Sequence, residues 1–408
     1  MNYIVKKISP TIFLLFIISM NHWIGWGIKI ELTIALGILL FMQILMHKVC
    51  IDLSIRNITA VVLFYIGHLF FSANVIHNYQ SVITQIPTFL IPLTGIMCLS
   101  DDYKIEVFKK ITKWFAWLMI PAIILYFITL VMPLPSFGIV EWGEASRHSY
   151  DEYGICYNYL FLVKEISSNL IISRFSGPFL EPGHLGMMCA FILLANRHDY
   201  NNRYNRIILA TLLITLSLAG WILGLIGFLI CRYDEGRFTL KRLVLLICSV
   251  WLLILLGQNY NGGNNIINES IISRLELNEE GKMSGDNRQS EYTDILMAAM
   301  FKNPHLLWFG YDIDFINRLN EGSKTAVVGA GIRIDLVRHG LLAILLMLFA
   351  YYYLSQSSAN KRFGYLLFIF LLLVSFQRFY PSWLSWIICY MMALINSDRK
   401  RNKYESIS

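Results

Sequence analysis

Long apolar runs, separated by short polar connections, recur along almost the whole chain. A window of roughly 19 residues, close to the length that a membrane-crossing helix needs, selects twelve such runs. They are 10–28, 30–46, 58–76, 82–99, 114–132, 183–196, 207–218, 220–231, 243–257, 340–354, 364–377 and 383–396. The pattern predicts an all-α polytopic integral membrane protein with about 12 transmembrane helices and two large loops.

The apolar segment from Ile207 to Cys231 is open to two interpretations. It forms either one tilted helix of roughly 37 Å, at 1.5 Å per residue, or two half-length elements broken at Ala219-Gly220. We favour two elements, because only then do the basic connections on both sides of the segment keep one orientation.

The composition supports a membrane protein and argues against a nucleic-acid partner. Hydrophobic residues make up 56% of the chain and charged residues 15%, whereas soluble domains carry about 25% charged residues. In a soluble protein, a formal charge of +7 would suggest nucleic-acid binding. In a chain this apolar, we expect the basic residues to lie at lipid headgroups, and we predict no nucleic-acid partner.

The distribution of Lys and Arg predicts the orientation. Seven segments that are cytoplasmic if the N-terminus is inside carry 21 of these residues, whereas the short outer connections carry only Lys29 and Arg378. This bias predicts that both termini are cytoplasmic. It divides the chain into a five-helix region 1–132, a first large outer loop 133–182, central helices 183–257, a second large outer loop 258–339, a three-helix region 340–396 and a basic cytoplasmic tail 397–408.

The short basic connections contain no nucleotide-binding pattern, neither GxxxxGK nor GxGxxG after a strand. We therefore expect the chemistry at the outer face, on a substrate that already contains an activated bond. The usual substrates of this kind are lipid-linked diphosphates. We expect no metal or other cofactor, because the seven cysteines include no C-x-x-C pair and we find no acidic cluster suited to a cation.

The first large loop ends in a segment rich in glycine, proline and charge, from Ile172 to Gly186. Its glycines and prolines predict a bent, re-entrant loop that lines a cavity at the membrane surface. Arg174, Glu181 and His184 would then bring a cation, a carboxylate and a titratable base to the lipid boundary, where charge is costly. The alternative is an ordinary interfacial turn, with Arg174 reaching the headgroups and Glu181 facing water.

The run R-x-S-G-x-F-x-E-P-G from Arg174 to Gly183 resembles that of the Wzy-type O-antigen polymerases and, more loosely, the O-antigen ligase superfamily. Ser217 with Gly220 is similar to the family's S-x-x-G stretch. Further similar features lie in the second loop: Ser273-Arg274, Gly285-Asp286-Asn287-Arg288 with Tyr292, Asn303-Pro304 before Phe309-Gly310-Tyr311-Asp312, the R-x10-G spacings Arg274/Gly285 and Arg318/Gly329, and Arg333 to Leu341.

The resemblance implies a reaction and a location. Such a polymerase is a glycosyltransferase of the bacterial inner membrane that moves a growing glycan from one undecaprenyl diphosphate to the non-reducing end of a repeat unit on another. The two large loops would then be periplasmic. Membrane lipid and the flippase and chain-length regulator of the same pathway would be its partners.

The expected site combines a cationic clamp with a base. Arginine suits a diphosphate because its planar guanidinium binds phosphate oxygens with two hydrogen bonds. The clamp candidates are Arg174, Arg274 and Arg288, with Arg338 and Arg378 in reserve. The candidate bases or acids are Glu181, His184, Asp335 and His339.

Two other functions remain open. Ligases of the superfamily, which transfer the glycan to the lipid A core, carry a histidine several residues before the glycine that opens the following span. Here Val328-Gly329-Ala330-Gly331 has no histidine and His339 directly precedes Gly340, which favours a polymerase. A twelve-helix flippase or transporter would share the helix count, but not the two large outer loops.

Overall fold

A computed structural model describes residues 2–49, 51–72, 81–141, 155–165, 172–237, 240–273, 291–311, 315–316 and 331–405. The chain is mostly helical (77%). It forms two compact units, one from residues 1–115 with 289–408 and one from residues 116–288. The division into regions made above follows membrane topology rather than compactness, and it stays a prediction.

Helices joined by short connections make up the described part of the first unit, with an isolated β-bridge between Ile51 and Leu99. Its helices are α1 (Asn2–Ser19), α2 (Lys29–Met46), α3 (Ile55–Phe71), α4 (Ser81–Gln85), α5 (Ile91–Met97), the start of α6 (Asp101–Val131), α11 (Glu291–Lys302), α12 (Pro304–Phe309), α13 (Ile332–Gln356), α14 (Lys361–Gln377) and α15 (Leu384–Glu405). A 3₁₀ turn, Trp23–Gly25, follows α1, and a π-helical turn, Ile86–Leu90, joins α4 to α5.

The second unit combines helices with a small sheet. Its helices are the rest of α6, then α7 (Pro182–Ala195), α8 (Arg203–Ile214), α9 (Leu218–Asp234) and α10 (Leu240–Asn259). A 3₁₀ turn, Tyr260–Gly263, and a π-helical turn, Asn268–Ile272, follow α10. The strands β1 (Ile139–Glu141), β2 (Ile155–Asn158) and β3 (Val163–Glu165) pair antiparallel in that order. The all-α prediction omits this sheet, which lies in the first predicted loop.

A helix lies at each of the twelve predicted segments, although several boundaries differ. By length and composition, three described helices can cross a membrane, namely Lys29–Met46, Asp101–Val131 and Ile332–Gln356. Shorter apolar helices span Ile55–Phe71, Val82–Met97 and Pro182–Ala195. These helices support membrane association, and the full count of spans stays a prediction.

The boundary errors have local causes. The first helix ends at Ser19, well before the predicted residue 28, because Asn21 turns the chain with a φ of 59°. The predicted segment 82–99 is interrupted by the π-helical turn, whose Pro87 has no N–H to donate to a regular helix. The predicted helix at 340 begins at Ile332, with non-helical backbone at Gly340.

The short basic connections of the first unit gather at one end of its helices. The Asp52 N–H donates to the Cys98 carbonyl at 2.7 Å, which joins the connections before α3 and before α6. The Asp398 carboxylate accepts a hydrogen bond from the Ser358 hydroxyl at 2.6 Å, and Arg399 pairs with Asp102 at 3.3 Å. The segments that charge counting predicted to share one side of the membrane therefore do lie together in this unit.

Residues 207–231 form two elements and not one tilted helix, because α8 and α9 are separate helices. Gly220 lies against Gly186 and Gly227 lies against Leu194, so α9 runs in the same direction as α7. Between them α8 runs back, since Asn196 donates to Asn205 at 3.0 Å. Both basic connections therefore reach the same end of the unit, as the two-element interpretation required.

The break between α8 and α9 lies at Leu216, before the predicted Ala219-Gly220. Leu216 has a φ of 48°, and the Ser217 hydroxyl then accepts the Gly220 N–H at 3.3 Å as the N-cap of α9. A Cβ on Gly220 would lie 2.9 Å from the backbone of Gly186. The S-x-x-G stretch thus starts a helix and lets its backbone touch α7.

A buried ion pair lies at the end of the second unit that carries its basic connections. Arg197 pairs with Asp234 at 2.6 Å, and both side chains are buried. The neighbouring His198 ring is 2% exposed and contacts the Tyr200 hydroxyl through Nδ1 at 2.8 Å. Burial, followed by the positive charges of Arg232 and Arg197, lowers the pKa of His198 to about 3.

This lowered pKa predicts an acid-sensitive fold. In the unfolded chain the histidine titrates near pH 6.5. The contribution of the neutral ring to the free energy of unfolding is therefore fully present above about pH 6.5, and it is lost as the pH falls towards about 3. We expect the unfolding temperature of the detergent-solubilised protein to fall between about pH 7 and pH 4 less steeply in His198→Gln than in the wild type. The exposed His305→Gln is the control, and equal slopes in all three proteins would contradict the prediction.

Candidate functional site

Arg174 lies in an extended segment that is fixed by its neighbours on both sides. The Ser173 carbonyl accepts a hydrogen bond from the Tyr126 hydroxyl at 2.9 Å. On the other side, the Ser176 hydroxyl donates to the Val163 carbonyl at 2.9 Å, and the Val163 N–H donates to Gly177 at 2.8 Å. Arg174 itself is half-buried. The segment is therefore hydrogen-bonded to Tyr126 on one side of Arg174 and to β3 on the other, which holds the guanidinium on a defined backbone.

The chain turns after this segment and then enters a buried helix. Gly177 has a φ of 57°, a conformation that favours glycine, and α7 begins at Pro182. Proline is well suited to the first helical position because its missing N–H would have no partner there. The predicted bend is confirmed for the residues before Glu181, but Pro182 and Gly183 belong to regular helix, which corrects the prediction.

Glu181 and His184 occupy different environments at the start of α7. Glu181 is the N-cap residue, half-buried and extended, and its carbonyl accepts the His184 N–H at 3.1 Å. A carboxylate at this position is stabilised by the positive end of the helix dipole. His184 is 2% exposed, in a helix that is buried from Gly183 to Ala195. Of the two, Glu181 is the residue that a substrate can reach.

Asp335, Arg338 and His339 share one turn of α13, which we name the α13 turn. Their spacing of three and four residues places them on one side of the helix, just before the non-helical Gly340. All three are half-buried. The His339 ring packs against Phe71 of α3, with ring centroids 4.7 Å apart, and its Nδ1 has no hydrogen-bond partner among the described residues.

The α13 turn is held by contact between two glycine backbones. Gly310, which ends α12, has φ 76° and ψ −175°, and Gly340 has φ 75° and ψ 173°. This region of backbone space is essentially restricted to glycine. A Cβ on Gly310 would lie 2.6 Å from the Arg338 carbonyl oxygen, and one on Gly340 would lie 2.4 Å from the Trp308 carbonyl oxygen.

A hydrogen bond reinforces this contact, since the Tyr311 N–H donates to the Val337 carbonyl at 2.8 Å. The Asn303 side chain caps the start of α12 by accepting the His305 N–H at 3.1 Å. The Asn-Pro…Gly stretch noted in the sequence is thus a capped helix that ends on the backbone of the candidate site residues.

Arg378 ends α14 and is buried, with 5% of its surface exposed. Its guanidinium Nη1 donates to the Tyr380 hydroxyl at 3.3 Å. The adjacent Phe379 packs edge-to-face on Phe71 at 5.4 Å, the same ring that contacts His339. In the first unit, the residue after Arg378 and the α13 turn therefore both contact Phe71.

Arg274 and Arg288 lie outside the described residues, as do both R-x10-G glycines, Gly285 and Gly329. Arg174, Glu181 and His184 belong to the second unit, whereas Asp335, Arg338, His339 and Arg378 belong to the first. Within the described ranges, no three His, Cys, Asp or Glu residues are grouped as metal ligands would be.

Sequence reasoning missed a cationic and aromatic group in the first unit. Lys29 was counted only as a residual charge of an outer connection, and Tyr380 and Trp383 were not considered. Yet Lys29 lies over the Trp383 ring, with Nζ 5.7 Å from the ring centroid, and Tyr380 stacks on Trp383 at 4.2 Å. One feature of the sequence pointed to this group. Lys29 is a basic residue in a predicted short outer connection, where Lys and Arg are otherwise rare.

No protein-family model, no curated protein and no solved structure matches this chain. The resemblance to O-antigen polymerases rests on the residues quoted from the sequence.

The glycine contact predicts an intolerant position. Gly310→Ala would combine a strained φ with overlap on the Arg338 carbonyl, so we expect it to reduce the free energy of unfolding by about 3 kcal/mol or more. The matched control is Gly262→Ala, where φ is 63° but nothing lies within 4 Å, and it should cost about 1 kcal/mol. Thermal unfolding of the purified proteins measures both, and a Gly310→Ala protein as stable as Gly262→Ala would refute the contact.

Proposed function

We propose that this protein is an O-antigen polymerase of the bacterial inner membrane. In this proposal it has about twelve transmembrane helices, cytoplasmic termini and two large periplasmic loops. It transfers a growing glycan from undecaprenyl diphosphate to the non-reducing end of a repeat unit on a second undecaprenyl diphosphate.

One observation carries the proposal. In the second unit, the Arg174 segment lies at the end of the helices opposite Arg197 and Asp234. In the first unit, Arg338 and Arg378 lie at the end opposite Asp398. If the basic connections face the cytoplasm, as the excess of Lys and Arg predicts, the clamp candidates face the periplasm in both units. A carrier-linked glycan is available on that side.

Arginines at this location support diphosphate chemistry. As the glycosyl bond breaks, negative charge accumulates on the diphosphate oxygen that leaves. Guanidinium groups stabilise that charge with paired hydrogen bonds, and fixed arginines do so without reorganisation during the reaction. Arg174 is held by the sheet and Arg338 by the glycine contact, so the backbone of each is fixed in advance.

The bonds and the proton balance in a single displacement. The acceptor hydroxyl oxygen bonds to the anomeric carbon of the donor glycan, and the bond from that carbon to the diphosphate breaks. Undecaprenyl diphosphate leaves with the electron pair, and a base takes the hydroxyl proton. Glu181 is our preferred base because it is accessible, while Asp335 and His339 of the α13 turn are the alternatives in the first unit.

Reconstitution tests the proposal directly. The purified protein in lipid vesicles, given a synthetic undecaprenyl-diphosphate repeat unit, should produce a ladder of polymer lengths on a gel. Arg174→Ala and Arg288→Ala should each reduce ladder formation about a hundredfold or more, because each removes charge stabilisation in the transition state. The control is Arg206→Ala, an exposed arginine at the basic end of the second unit.

Other outcomes separate the alternatives. A wild-type protein that makes no ladder contradicts the polymerase, and normal ladders from both arginine variants contradict the clamp. Ligase and polymerase are distinguished in a deletion strain, where loss of a polymerase leaves a lipid A core bearing one repeat unit and loss of a ligase leaves none. Movement of the lipid-linked unit across the bilayer without a ladder would indicate a flippase.

Glu181→Gln tests the base. The amide keeps the size of the side chain but cannot take a proton, so we expect ladder formation to slow about a hundredfold or more, with little change in unfolding temperature. Glu31→Gln, an exposed glutamate in the first turn of α2, is the control and should retain activity. Full activity in Glu181→Gln would assign Glu181 a structural role and move the search for the base to the α13 turn.

A further inference from the structure

A group of two cations and two aromatic rings lies at the end of the first unit that carries the α13 turn. It consists of Lys29 at the start of α2 and of Arg378, Tyr380 and Trp383 between α14 and α15, and we name it the Lys29–Trp383 cluster. None of these residues except Arg378 has a role in the function proposed above.

Lys29 is held in place without a carboxylate. Its ammonium donates to the Asn21 side-chain oxygen at 2.7 Å and lies 5.7 Å from the centroid of the Trp383 ring. Among the described residues, no Asp or Glu lies within ion-pair distance of Lys29. The side chain is half-buried, so much of its stem is removed from solvent. A positive charge fixed in this way, with no described carboxylate within ion-pair distance, is suited to an anion from outside the protein.

The aromatic rings of the cluster form an ordered surface. Tyr380 and Trp383 stack nearly parallel, with centroids 4.2 Å apart and an angle of 8° between their planes. Both rings are half-buried, so part of each remains open. On one side the Tyr380 hydroxyl accepts a hydrogen bond from Arg378, and on the other Lys29 lies over Trp383. Two cations therefore flank one stacked pair.

Anchoring at a membrane interface explains single aromatic rings, because each needs only an apolar body and a polar tip. It does not explain this arrangement, in which the chain is tied on both sides of Trp383. The Ser385 N–H donates to the Ser19 hydroxyl at 3.0 Å, and Ser382 bonds to Ser72 at 3.0 Å. These contacts fix the connection 378–383 against the ends of α1 and α3.

The cluster is also continuous with the α13 turn. Phe71 contacts both the His339 ring and the Phe379 ring, which puts these two ring centroids within about 10 Å of each other. Phe379 lies between Arg378 and Tyr380 in the chain. The connection that carries Arg378 and Tyr380 therefore lies beside the helix that carries a candidate base.

We propose that the Lys29–Trp383 cluster is the acceptor site, where Lys29 and Arg378 bind the diphosphate of a lipid-linked glycan and the open ring surface of Tyr380 and Trp383 contacts a sugar. This inference rests on the proposed function, since a polymerase binds two lipid-linked diphosphates at once. The Arg174 segment, in the other unit, serves the donor. Sugar rings present apolar C–H faces that pack on aromatic rings, whereas the diphosphate needs the cations.

The test measures binding, independently of catalysis. Two probes are titrated into the protein in lipid nanodiscs, namely farnesyl diphosphate and the same lipid diphosphate linked to one hexose. All proteins carry Arg174→Ala and Arg288→Ala, which weakens binding at the donor clamp. We expect Lys29→Met to weaken both probes about tenfold or more, and Lys29→Arg to stay within about threefold of the parent. Trp383→Ala should weaken the hexose-bearing probe more than the plain lipid diphosphate, and Trp383→Phe should largely restore the difference.

Matched controls are Lys361→Met and Trp251→Ala, both exposed residues outside the cluster. Equal binding of both probes by the parent, Lys29→Met and Trp383→Ala would overturn the acceptor site. Equal loss for Lys29→Met and Lys29→Arg would also overturn it, since the charge would then not be the binding feature. A wild-type protein that makes no ladder refutes the polymerase, whereas the binding comparison alone decides whether the cluster takes a lipid diphosphate.

Discussion

Where an apolar segment crosses a membrane, each of its backbone N–H and C=O groups has to find its partner within the protein, because hydrocarbon offers none. Regular helix meets this requirement along most of the described residues. The informative places are those where the helix stops, since each interruption has to be compensated by a neighbouring element. The Arg174 segment bonds to β3, the break after α8 is capped by Ser217, and Gly340 is covered by the end of α12.

Glycine makes two of these compensations possible. Gly186 and Gly220 let α7 and α9 touch through their backbones, and Gly310 and Gly340 do the same for α12 and α13. In the first pair the absence of a side chain is what counts, because both residues are helical. In the second pair the conformation matters too, since both residues have backbone angles that other residues rarely adopt. The candidate site of the first unit is therefore positioned by backbone contact as well as by side-chain packing.

The same constraint connects the two proposals. Where the helix stops, side chains with charge can reach the membrane surface while the backbone remains satisfied. Arg174 and Glu181 lie at one such interruption in the second unit, and Arg338 and His339 lie at another in the first. Lys29 and the Tyr380–Trp383 stack follow the same rule, because they occupy the connections between α1 and α2 and between α14 and α15. Each unit thus carries its candidate cations where its helices end.

The sequence by itself determined the membrane character, the approximate position of the helices and the grouping of the basic connections, because hydropathy and the Lys and Arg count are local properties of the chain. It also nominated Arg174, Glu181, Arg338 and His339 as candidates, since charge beside Gly and Pro at the end of an apolar run is visible locally, and their roles stay predictions. Only the tertiary structure decided that α8 and α9 part at Leu216, that a sheet supports Arg174 and that Lys29 meets Trp383. These features depend on contacts between residues far apart in the chain, and no local pattern encodes which partner a turn or a glycine will meet.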